Sequence, residues 1–121
     1  MIRIDLTPQE AFDKVCLHLD AQGHQSTKNG CCAYRGFNGD KCAIGCLIPD
    51  ENYVSSIEGN VLENLIDDGI IITPLSIDFL DGLQMAHDRH LWCDIKFELL
   101  NVAERHRLNT DLCHSLAFSP E

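Results

Sequence analysis

An α+β fold is predicted: a single compact domain over residues 1–121, with three to four helices packed on a small antiparallel β-hairpin or three-stranded sheet. Three observations predict it. Apolar residues recur at helical spacing behind a capping box at the N-terminus, Asn38-Gly39 forms a tight-turn signal between apolar runs, and a β-branched run stops at Pro74. At 121 residues, 45% of them hydrophobic and 23% charged, the chain has the length and composition of one globular domain with one core.

The first helix is specified from its start. Thr7-Pro8-Gln9-Glu10 pairs a capping box with proline at the first helical position, and Leu6 is placed to staple onto Ala11. Phe12, Val15, Cys16 and Leu19 make its apolar stripe, and Gly23 supplies the stop. A polar loop follows over residues 24–30.

The hairpin comes next. Asn38-Gly39 suits a type I′ turn, which needs positive φ at both central positions, so residues 31–36 are expected to pair with residues 41–48. The competing reading makes Asp40 an N-cap and winds residues 42–48 into a short buried helix that stops before Pro49. The hairpin is favoured. The choice matters for Cys42: in the first turn of a helix the dipole stabilises a thiolate, whereas on a strand it is one more small buried residue.

Asp50 is expected to start a single turn through Tyr53. Asn60 and Glu63 form a cap-like pair ahead of Leu62, Leu65 and Ile66, closed by Gly69, with Asp67-Asp68 opposing the dipole at that end. Ile70 to Thr73 reads as a third short strand or a buried connector. A helix from Ser76 is expected to bury Phe79, Leu80, Leu83, Ala86, His87 and Leu91, with Gly82 inside it. A further helix from Asp94 should bury Ile95, Leu99, Val102 and Ala103 together with Phe97 and Leu100, and an extra turn is possible over residues 111–116.

Charge narrows the function classes. The net charge is −10, and no lysine or arginine occurs from Cys42 through Asp88, a stretch that carries nine acids. Such a field steers basic partners and repels phosphate backbones, which disfavours a direct nucleic-acid binder. No apolar run reaches the roughly 18 residues of a membrane span and no signal-peptide core is present, so the expected location is cytoplasmic. There the seven cysteines are expected to stay thiols.

The run CxYRG followed by GxxCAIGxLIPDxxY has a counterpart elsewhere. Through Cys32, Tyr34, Arg35, Gly36, Gly39, Cys42, Ala43, Ile44, Gly45, Leu47, Ile48, Pro49, Asp50 and Tyr53, it resembles a stretch found in small uncharacterised proteins of bacteria and their phages. The resemblance implies a phage or prophage setting, where small proteins commonly bind and inhibit host factors, and it brings no activity with it.

The function expected is therefore that of a small acidic intracellular binding or inhibitory protein acting on a basic surface of a host protein. Asp50, Glu51, Glu58, Asp67, Asp68, Asp78 and Asp81 would supply the charge and Tyr53 an aromatic anchor. The alternative is a cysteine-dependent hydrolase or transferase using Cys42 with His87 or His90, oriented by Asp88 or Asn101. A zinc-stabilised module is the third option: His87, Asp88 and His90 cluster near Cys93, but HxxHxxC is a weak zinc pattern, so neither a metal ligand set nor a cofactor is assigned.

Overall fold

In the structure, a computed structural model that describes residues 1–28, 31–88 and 91–120, the first helix α1 runs Pro8–Gln22 as its capping box predicts. Thr7 Oγ1 accepts from the Glu10 N–H at 3.1 Å and the Glu10 carboxylate accepts from the Thr7 N–H at 2.9 Å. Gly23 closes the helix at φ 75°, in the left-handed region where a Cβ is penalised.

The strands are short and fall in two pairs. β1 (Ile2–Arg3) pairs parallel with β4 (Ile71–Ile72), in the register Ile2↔Ile71 and Arg3↔Ile72. β2 (Thr27–Lys28) pairs antiparallel with β3 (Cys31–Cys32), and Ser26 extends that ladder by accepting from the Ala33 N–H at 3.1 Å. The run at Ile70 is thus a strand, but its partner is the N-terminus.

The hairpin expected around Asn38-Gly39 stops one pair beyond its turn. The turn itself forms: Asn38 takes φ 58° and Gly39 φ 80°, and the Asp40 N–H donates to the Phe37 carbonyl at 3.0 Å. One antiparallel bridge, Arg35↔Lys41, follows it. The chain then winds into α2 (Ala43–Leu47), with Cys42 as N-cap, its Sγ accepting from the Gly45 N–H at 3.2 Å. The capping residue is Cys42, two residues beyond the expected Asp40. Packing decides the outcome. Every residue of α2 is buried between α1 and α4, and a Cβ on Gly45 would lie 2.0 Å from the Tyr34 carbonyl oxygen, so only glycine lets the helix seat against the bend that follows β3.

Beyond α2 come α3 (Leu62–Asp67), α4 (Ile77–Asp88), α5 (Ile95–Arg105) and α6 (Asp111–Ser115). Asn60 does not cap α3; its side-chain amide donates instead to the Ser56 carbonyl at 3.1 Å. Ser76 does cap α4, accepting from the Phe79 N–H at 3.2 Å. The core joins α1, α2, α4 and α5 around Phe12, Leu19, Ile44, Leu80, Leu83 and Leu99. Two apolar expectations fail. Leu91 lies past the end of α4 and is 73% exposed, and Phe97 is 64% exposed. Phe97 is two residues on from buried Ile95, hence about 200° round the helix and facing out. Among the described residues no helix is long and apolar enough to cross a membrane.

Candidate functional site

The Cys–His chemistry is the sharpest expectation to place. Cys42 is fully buried, and burial pushes its thiol up to about 12, against the smaller opposing effect of the Gly45 N–H. His87, also fully buried, sits near the end of α4. Its Nε2 accepts from the Ser26 N–H at 3.0 Å, so the ring proton resides on Nδ1 and is donated to Asp88 Oδ1. Asp88 orients the ring as a catalytic pair would require, but the far nitrogen serves a backbone amide and not a thiol. The ring joins α4 to the strand ladder at Ser26. His90 lies outside the described residues.

Around this pair the polar groups are closely matched. Gln84 Nε2 donates to both Asp88 oxygens at 2.9 and 3.0 Å, while its Oε1 accepts from the Ile44 N–H at 3.1 Å. Gln25 donates to the His87 carbonyl at 2.7 Å. Burial works to raise the Asp88 carboxyl, but hydrogen bonds from His87 and Gln84, with a further one from the exposed Cys32 thiol, hold it below the ordinary carboxylate range.

Among the described residues, ligand atoms of Cys32, His87 and Asp88 lie within 4.8 Å of one another. Sequence reasoning paired His87 and Asp88 with Cys93 and missed Cys32, which lies opposite Thr27 in the strand pair whose neighbouring Ser26 amide holds the His87 ring. The donor set does not suit a metal. A ligating histidine needs a lone pair toward the ion and normally donates its other N–H. Here Nδ1 carries the proton and Nε2 faces a donor, so coordination through Nδ1 would set two N–H groups against each other at Ser26.

The acids divide into engaged and displayed groups. Asp50 bonds Lys41 Nζ at 3.1 Å and Arg35 Nη1 at 2.9 Å; the Lys41 contact, then the Arg35 charge, holds its carboxyl low. Glu58 is an internal clasp, accepting from the Tyr34 and Arg35 N–H groups at 3.0 Å each and from the Tyr53 hydroxyl. Tyr53 carries the Arg35 guanidinium 4.8 Å over its ring, and burial, then the Glu58 bond, raises its hydroxyl to about 12. Arg35 also reaches the Ile48 carbonyl at 2.7 Å, so a basic residue from outside the acidic stretch ties down its first part.

Glu51, Asp67, Asp68, Asp78 and Asp81 are exposed. Asp78 and Asp81, three apart on α4, line one wall of a groove of about 530 Å³. The opposite wall is α5, which adds Glu98 and Glu104. Arg105 is the basic residue of the lining, and Gly82 forms the floor, where a Cβ would meet the Arg105 guanidinium at 3.1 Å. Asp81 and Met85 also border a second cleft of about 400 Å³, where Cys32, Tyr34, Gln84 and Asp88 lie. Sequence reading missed Glu98 and Glu104. Their signal was Glu98-x-x-Asn101-x-x-Glu104, a one-sided polar repeat at helical spacing.

No family model matches the chain, and neither a curated protein nor a solved structure matches it.

Proposed function

We propose that this chain is a small acidic intracellular binding protein, of phage or prophage setting, that occupies a basic surface on a host protein. The observation that carries this reading is the α4–α5 groove, whose lining holds Asp78, Asp81, Glu98 and Glu104 against a single basic residue, Arg105. Four carboxylates held on two packed helices present negative charge without paying to order long flexible side chains on binding. Met85, on the ridge between the two clefts, adds an adaptable apolar contact. Glu51, Asp67 and Asp68 extend the field that steers a cationic partner inward. Asp50, Tyr53 and Glu58 are tied to one another through Arg35, outside the lining of this groove.

The enzyme reading draws no support from Cys42, whose buried thiol faces a backbone amide and whose pKa burial pushes up to about 12.

A pull-down from host lysate, run at low and high salt with wild type and an Asp78→Asn/Asp81→Asn/Glu98→Gln/Glu104→Gln variant, tests the proposal. Wild type should retain a basic protein at low salt and lose most of it at high salt; the variant should lose it at both. Retention that ignores salt and all four substitutions would sink it.

A further inference from the structure

Away from the acidic face, two thiols meet in the core. Cys16 lies on the inner face of α1 and Cys113 is the buried residue of α6; both are free and fully buried where α6 packs on α1. Their sulfurs are within hydrogen-bonding reach of each other. On the α5 side, Lys96 Nζ donates to the His114 and Leu116 carbonyls at 2.8 and 2.7 Å, closing the end of α6 with a cation.

We infer that Cys16 and Cys113 are a redox modification site: on exposure to a small-molecule disulfide they join as an intramolecular disulfide that ties α6 to α1. The two sulfurs are not equivalent. The Cys16 thiol donates to Cys113 and lowers the pKa of Cys113 against the cost of burial, with Lys96 assisting, while the same contact raises Cys16. Lys96 Nζ, bonded to the His114 and Leu116 carbonyls, stands on the Cys113 side of the pair, so Cys113 is the attacking sulfur. Its thiolate displaces one thiolate from the oxidant and forms a mixed disulfide; Cys16 then gives up its proton, attacks the Cys113 sulfur and expels the second thiolate. Two protein thiols are oxidised and one small disulfide is reduced to two thiols. Access comes from lifting α6, a five-residue helix near the chain's end. Cys46 is the competing partner, but its S–H is spent on the Ala43 carbonyl at 3.0 Å, and burial pushes its thiol up to about 12. In a reducing compartment the pair stays open and closes under oxidative challenge.

The test uses reduced wild-type protein incubated with oxidised glutathione, alkylated and digested with trypsin. Cleavage after Lys14, Lys28 and Arg107 places Cys16 alone in peptide 15–28 and Cys113 alone in peptide 108–121. The expected product is these two peptides linked, two hydrogens lighter than their sum and separated again by dithiothreitol. The oxidised protein should also melt at a higher temperature than the reduced one, because a long loop is closed in the unfolded chain. Recovery of both peptides unlinked, or of peptide 15–28 joined to 42–89, would overturn the inference, and no variant has to fold for that result to be read.

Discussion

At the scale of single residues, side chains that look like chemistry in the sequence are doing construction. Glu58 reads as a surface acid, yet it satisfies two consecutive backbone amides and a tyrosine hydroxyl. Glu58→Ala leaves two half-buried N–H groups unpaired, at about 1–3 kcal/mol each. The expected loss is about 2–6 kcal/mol in urea unfolding, with the slope against denaturant unchanged; a loss within error of zero would mean that water replaces the clasp. Asp88 makes a pH prediction. Its carboxyl is held low in the folded chain, so its stabilising effect is present above the ordinary carboxylate range and disappears as pH falls through the folded-state value. Asp88→Asn should therefore lower stability near neutral pH, and the difference from wild type should shrink in acid. Thermal melts across that range check it.

Among elements, the sequence legibly encoded what has end signals or a clear period. α1 is bounded by its capping box and Gly23, and α4 and α5 follow their apolar spacing. Residues 42–48 were ambiguous because a short apolar run buried on all sides has no period to read, and helix and strand then differ only in what they pack against. The turn at Asn38-Gly39 was legible because its signal is local, whereas the β1–β4 pairing was not, since nothing in Ile2–Arg3 names Ile71 as partner. The candidate site divides the same way: Asp78 and Asp81 were visible in the charge pattern, but their juxtaposition with Glu98 and Glu104 is a product of tertiary packing. Gly45 offers the test at this scale. With a Cβ 2.0 Å from the Tyr34 carbonyl oxygen, Gly45→Ala must push α2 away from the Tyr34 backbone and should cost about 3 kcal/mol or more, read as a drop in melting temperature. Gly39→Ala meets no atom within 4 Å and should cost only the strain of its positive φ, which separates crowding from conformation.

For the molecule as a whole, a net charge of −10 carries a self-repulsion that the fold bears. Neutralising Asp81 and Glu104 should leave stability equal or raised at low ionic strength, and that gain should fade as salt screens the field. Melting curves at two salt concentrations measure it, and a marked loss of stability would mean that these carboxylates hold the helices together instead of facing a partner. The parallel pairing of Ile2 with Ile71 has a different consequence, for the order of assembly. Such a contact cannot form until nearly sixty per cent of the polypeptide is in place between and around its ends, and distant closures are slow compared with local turns. The capped N-terminal helix and the tight turn at Asn38 are positioned to organise early, and the opening residues should be the last to gain protection from hydrogen exchange during refolding.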